Sequence, residues 1–433
     1  MYPSFPRQLL ITKPLLFMIK YCSLLFSLLC LSGGIRAQRT EIYAPHIQTV
    51  QVVANNDINA PAVITLDSND YIELSFDELS HEYHRYQYVL SHCNADWSAS
   101  DLSDIDYLDG FNNNPIEDYE TSINTTMPYT HYRLTLPNNE VRMKLSGNYL
   151  IIVYDDSDTS KPVFKTCFRV LDKQVSVSAT VSSDTEIDRN KGHQQVSFNV
   201  RHRGYNIRNP QQEVKIQVMQ NGRTDNMVTG VLPTYVGPDE LRYTHNKALI
   251  FPAGNEYRRF ETVSTRYANI GVESLQFHDP YYHATLFPSD PRTRNYSYDE
   301  DQNGRYLIRY DDATDNEIEA DYFFVHFSLP WEDPFMDGKL YLQGEFTYDN
   351  FNRQTEMKYN KETYAYESVQ LLKQGAYNYQ YLYVPNGSTK GETGPVEGNY
   401  YETENEYLIL VYARPFGERY DKLIGMQQVR FKP

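Results

Sequence analysis

Apolar and polar residues alternate with a period of two in run after run along the chain. Examples are IQTVQVVA, YIELSFDE, YQYVLSHC, HYRLTLP, NYLIIVYDD, VFKTCFRVLD, QQVSFNVRH, VKIQVMQN, YLIRYDD, YFFVHFSL, KLYLQGEF and YLILVYARP. That period places successive side chains on opposite faces of an extended strand, so these runs predict strands with one face turned to a core. Clusters of Pro, Gly, Asn and Asp separate them, and no stretch sustains a helical period. The expected fold class is therefore all-β, built from several packed sandwiches. No repeat of fixed period stands out, and the polar stretch NGSTKGETGPVEGN reads as a loop.

Two breaks divide the pattern. FRVLDK closes one block and VSVSATVSS opens the next, while the acidic DDATDNEIEAD separates YLIRY from YFFVHFSL. The expected domains are residues 38–173, 174–316 and 317–433, three consecutive immunoglobulin-like β-sandwiches of ordinary size. Within YDEDQNGRYLIRY, Asn303-Gly304 supplies the two left-handed positions of a tight hairpin, with Tyr298 and Tyr306 on paired strands. The same segment opens like a calcium loop at Asp299, Asp301, Asn303 and Gly304, but its twelfth position is Tyr310 instead of a bidentate Glu, which favours the plain hairpin.

The beginning of the chain breaks the alternation. After Lys20 comes the apolar run CSLLFSLLCL and then small residues to Ala37. An apolar core of about a dozen residues is short of the ~20 a spanning helix needs, so residues 1–37 are expected to be a cleaved export signal, with Met18 a plausible start. Cys30 invites a lipid anchor, but Leu29 occupies the place of the small residue that should precede it, so none is expected. The leader carries Arg7, Lys13, Lys20 and Arg36 and no acid, so its loss takes the net charge from −17 to −21. Such an acidic surface excludes nucleic acid and anionic lipid as expected partners. Of four cysteines, Cys93 and Cys167 would remain, either joined in one disulfide or lying as two buried thiols.

Catalytic patterns are hard to find. The chain has no nucleophile elbow, phosphate loop, C-x-x-C or H-E-x-x-H. His81 and His84 are three apart and would face opposite ways on a strand, while His278 and His283 flank a turn-like DPYY, so no metal is expected. Glu332 and Glu345 would form a glycosidase-type pair only if a cleft lay between them. No cofactor is expected. Trp97 and Trp331 each read as a contact residue or as a plug for the open end of a sandwich.

YVLSHCNADWSASDLSDIDYLDGF, then IEDYETSINTTMPYTHYRLTLPN and LSGNYLIIVYDD, resembles the N-terminal domain of the type IX secretion system plug proteins of the Bacteroidota. VMQNGRTDN, FPAGNEYRRFE, GKLYLQGEFT and LLKQGAYNYQYLY are similar to that family in the same order, over nearly all of the mature chain. The resemblance implies a non-enzymatic, monomeric, periplasmic protein that closes an outer-membrane β-barrel translocon from below and leaves during export. Trp97, Tyr107, Phe111, Tyr129 and Tyr132 are the candidate contact residues. The stretch from QGEFTYDN to KQGAYNYQYLYV is also similar to early-set, glycogen-binding immunoglobulin-like modules, with Tyr348 and Asp349 where a Trp is expected. That second resemblance implies an alternative, a glycan-binding protein using Tyr348 and Tyr377.

Overall fold

In the computed structural model, which describes residues 39–433, strands account for nearly all regular structure. The α-helices among the described residues are single turns at Asp104–Tyr107, Pro210–Glu213 and Asn316–Glu319. The chain is all-β, as the alternation predicts. The expected export signal lies outside the described residues.

Three hydrophobic cores form, each between two sheets. In the first, strands Glu41–Ile42, Asp158–Leu171, Gly147–Asp155, Tyr86–Cys93 and Asn114–Ile116 make one sheet, with Val63–Thr65 added in parallel. Ile47–Ala54, Ile72–Glu78, Thr130–Leu136 and Asp118–Thr121 make the other. Phe76 sits at the centre, stacked on Tyr132 at 5.0 Å and edge-on to Phe164 at 4.9 Å. Offset and edge-to-face rings of this kind add to the burial term.

The second core departs from the expected division. One of its sheets holds Ser176–Ser182, His193–Arg201, Glu240–Tyr243 and Tyr235–Val236; the other orders Val228–Thr229, Val214–Gln220, Glu406–Ala413 and Lys422–Arg430. The last two strands of the chain thus complete the middle sandwich, with Val214 opposite Ala413 and Gln220 opposite Tyr407. Conversely, Arg258–Glu261, Val272–His278, Tyr281–Leu286 and Tyr306–Ile308, expected in the middle block, pair into the third sandwich. The boundary expected at 316/317 is corrected accordingly, and the third sandwich is inserted in the second.

The reason lies in the strand EYLILVYA. Tyr407, Ile409, Val411 and Ala413 enter the second core, while Leu408, Leu410 and Tyr412 pack with Ala95, Leu171 and Met219 against the first sandwich. A strand covered on both faces loses its alternation and reads as a continuous apolar run.

The third sandwich sets the sheet Val272–His278, Tyr281–Leu286, Tyr322–Pro330, Ala365–Lys373 and Lys358–Asn360 against the long strand Gly375–Pro385. The first half of that strand takes Arg258–Glu261 and Tyr306–Ile308, and the second half takes Gly338–Gln343. Asn303 and Gly304 adopt the expected left-handed conformation, with φ of 54° and 88°. They do not close a hairpin, however. The strand after them pairs with residues 375–377, and the Asp301 carboxylate instead accepts the amides of Asn303 and Tyr257. Burial pushes that carboxyl up to about 7. A Cβ at Gly304 would come within 2.7 Å of the Tyr257 ring, so glycine is required there for space as well as for φ.

Cys93 and Cys167 sit on strands that flank Gly147–Asp155 from opposite sides, Cys93 opposite Asn148 and Cys167 opposite Leu150. Two strand spacings of roughly 4.8 Å each keep their backbones beyond disulfide reach. Both thiols are free, pushed up by burial to about 12 and about 11. This decides between the two readings left open by the sequence.

Candidate functional site

Four of the five expected contact residues are interior. Trp97 is 2% exposed and packs with Cys93 and Leu150, the Arg169 guanidinium lying 5.1 Å over its ring. Tyr107 donates its hydroxyl to the Leu90 carbonyl and to Asp104, and Tyr132 donates to the His84 carbonyl. Tyr129 does make a contact, but with this chain's own third sandwich, donating to the carbonyls of Glu317 and Ala320. As a set they form no surface for a partner, because each ring is buried among strands of the same molecule. Phe111 alone is open, at 82% exposure.

The glycan candidates fare similarly. Tyr377 is stacked between Phe260 and Tyr306, and Tyr348 is half-buried with its hydroxyl accepting the Val50 amide. Tyr377, 1% exposed, presents no ring face to solvent as a sugar platform would need. Trp331 lies half-buried against Phe335 at a strand exit. Glu345 lines a pocket that Glu332 does not border, and Glu332 lies on an exposed loop whose carbonyl takes the Tyr359 hydroxyl, so the two do not flank one cleft.

What the structure does bring together is charge, at the seams between sandwiches. Asp77 of the first sandwich is fully buried and receives three donors: Lys373 Nζ at 2.7 Å, Tyr322 hydroxyl at 2.6 Å and His131 Nδ1 at 2.6 Å. Lys373 and Tyr322 belong to the outer face of the third sandwich's sheet. His131 also meets Glu317 at 3.4 Å, and Glu317 takes Arg133 at 2.7 Å. Asp321 accepts the amides of Thr126 and Met127, and Lys373 lies 4.2 Å over the Tyr129 ring. The Asp77 carboxyl is penalised by burial, but Lys373 and His131 outweigh this and hold it below its ordinary value. His131 is raised despite burial by its bonds to Asp77 and Glu317, and His131 and Arg133 lower Glu317 to about 2.

A second seam joins the first and middle sandwiches. Asp421 is fully buried and takes Lys215 at 2.8 Å and Arg414 at 2.9 Å within its own sandwich and, across the seam, the Ala95 amide at 2.9 Å. Tyr412 donates to Asn148 at 2.7 Å and Gln217 to the Ala95 carbonyl at 2.6 Å. Between the middle and third sandwiches, Arg223 bridges Asp225 and the Gly391 carbonyl, Arg305 pairs with Glu406, and the Thr224 amide reaches Asp349. Residues 39–433 accordingly behave as one compact unit.

All three sandwiches contribute walls to a cavity of about 250 Å³, including Arg169, Met219, Asn303, Tyr306, Glu345 and Asp349. Burial pushes Asp349 up to about 6, while Glu345 keeps access to solvent.

Ile105 at 80% and Phe416 at 95% are also open apolar side chains. Ile105 sits in the turn Asp104–Tyr107, whose Asp106 pairs with Arg419 at 3.2 Å. That ion pair ties the turn to the PFGER loop carrying Phe416. Aspartates 101, 104, 106 and 109 surround these residues in sequence. Sequence reasoning passed over Ile105 and Phe416; the available signal was a large apolar residue inside a run of charged loop residues, as in SDIDY and RPFGER.

Residues 47–172 match the family model described as type 9 secretion system plug protein 1st domain. Among solved structures, the chain is similar to a hypothetical protein from Parabacteroides merdae ATCC 43184, known from a crystal structure at 2.30 Å resolution. The two share 47% identity over 90% of this chain and 99% of that one, with a TM-score of 0.89. No curated protein matches.

Proposed function

Because the chain belongs to the type 9 secretion system plug protein family, we propose that it is a non-enzymatic periplasmic stopper. It seals the channel of the outer-membrane translocon while no substrate passes, and is displaced during export. The family match over 47–172 carries this reading. No helix among the described residues is long and apolar enough to cross a membrane.

The physics of a stopper supports it. A body that closes a wide hole must resist deformation, and seams tied by the Lys373–Asp77 ion pair and by the Ala95 amide on Asp421 oppose rotation of one sandwich against another. A reversible seal also needs a contact that is only partly apolar, since an interface resembling a divided core would not release. The lobe bearing Ile105, Phe111 and Phe416 has that character: large apolar tips amid aspartates, fitted to a partner with apolar pockets and a basic rim. Burial of Tyr377 withholds support from the glycan-binding alternative.

Affinity purification of the tagged protein from an envelope extract tests the proposal. It should recover the translocon barrel, and the triple change Ile105→Asp, Phe111→Asp and Phe416→Asp should lower that recovery at unchanged stability. Recovery of no barrel by the unaltered protein would refute the plug reading; equal recovery by the variant would refute the lobe as its contact.

A further inference from the structure

The outer face of the third sandwich's sheet meets the first sandwich at one end through Tyr322 and Lys373. Farther along that face, the sheet register lines up Gln276, His283, Phe324 and Leu371 in one row. The adjacent row holds Thr285, His326 and Val369, and His278 sits opposite Tyr281 on the other side. Three histidines distant in sequence thereby share one patch. His283 Nδ1 and His326 Nε2 are 2.9 Å apart, and the His278 ring centroid is 5.1 Å from that of His283. The sequence placed His278 and His283 in a loop; both instead lie on strands of a hairpin.

We infer that His283 and His326 form a two-nitrogen anchor for a divalent transition-metal ion that favours imidazole, with His278 beside it. The spacing carries the argument. Two nitrogens each roughly 2.0–2.1 Å from one metal stand about 2.9 Å apart when they occupy cis positions of a square-planar or octahedral ion, and about 3.3 Å apart around a tetrahedral one. The 2.9 Å separation is also that of the hydrogen bond the two rings share without metal, so it brings the nitrogens near enough to meet on one ion and does not itself choose between metals.

Without metal, one ring N–H donates to the other ring's nitrogen. On binding, that proton moves to the second nitrogen of the same imidazole by way of solvent, so no net proton is released at neutral pH. Among the described residues, no group of three or more His, Cys, Asp or Glu side chains is arranged to hold a metal. The protein therefore supplies two nitrogens, and the remaining positions are left for water or for a side chain of a bound partner. Such an ion would cross-link the parallel strands Tyr281–Leu286 and Tyr322–Pro330.

The test uses untagged mature protein titrated with copper(II), nickel(II) and zinc(II) salts by calorimetry, with copper(II) electron paramagnetic resonance. The expected result is one saturable site, with copper tightest, then nickel, then zinc, and a spectrum showing two equivalent-type nitrogen ligands. His283→Gln and His326→Gln should each weaken copper by about tenfold or more, whereas His278→Gln should cost less than either. Absence of a saturable site would overturn the inference, as would a site that survives both His283→Gln and His326→Gln. Circular dichroism of each variant guards against misfolding, since all three side chains lie on the outer face and their loss should leave the fold intact.

Discussion

The first sandwich is held to its two neighbours by two carboxylates that look alike and are set differently in water. Asp77 and Asp421 are both fully buried, and each receives several donors. The Lys373 side chain that meets Asp77 comes from another sandwich and is 1% exposed, whereas the cations on Asp421, Lys215 and Arg414, come from its own sandwich and are 43% and 33% exposed. In the first seam the cation has no water to return to; in the second it keeps much of its hydration. Removing one partner should therefore cost far more at the first seam, because what is left behind is an unpaired buried charge.

The largest expected effect follows from breaking the drier seam. Lys373→Met should lower unfolding free energy by about 3–5 kcal/mol in guanidinium titration. Combining it with Asp77→Leu should recover part of that loss, since an apolar pair strands no charge; a double variant as unstable as the sum of two singles would contradict the coupling.

Next in size is the pH response of the same seam. His131 has a raised folded value, so its contribution is complete below about 6.5 and is lost as pH rises through the folded value. Asp77 and Glu317 are lowered, so theirs are complete above about 4.5 and are lost as pH falls toward the folded values. Denaturation midpoints should accordingly contain a contribution that is fullest between about pH 4.5 and 6.5. His131→Gln should flatten the decline on the alkaline side, and an unchanged profile would dissociate His131 from the seam.

The wetter seam should respond less. Lys215→Met should cost under about 1 kcal/mol, since its ammonium is largely solvated and Arg414 still pairs with Asp421. A loss equal to that of Lys373→Met would erase the distinction between the seams. Smallest of all is the response to reductant. With Cys93 and Cys167 on non-adjacent strands, dithiothreitol should not move the melting temperature, and alkylation after unfolding should label two thiols without prior reduction.

The same contrast between wet and dry explains what could be read in the sequence. Strands with one solvated face, such as YIELSFDE, announce themselves by alternation, and the left-handed pair Asn303-Gly304 does so by chemistry. The strand EYLILVYA records burial on both faces but not whose core it enters, so its return to the middle sandwich was invisible. The seams were equally hidden, because Asp77, Lys373 and Asp421 look like any surface charge until distant strands close over them. Tyrosine gave the most misleading signal: Tyr107, Tyr129 and Tyr132 were expected outside and lie inside, their hydroxyls satisfied by carbonyls. In a chain with 39 tyrosines, ring count says nothing about which face is wet.

The most direct test of the stopper reading is the conductance of the purified translocon barrel in a planar bilayer, titrated with this protein from the periplasmic side. The account predicts that open-channel current falls to baseline as the protein reaches equimolar amounts and returns when an export substrate is supplied. Current that persists at saturating protein would contradict it.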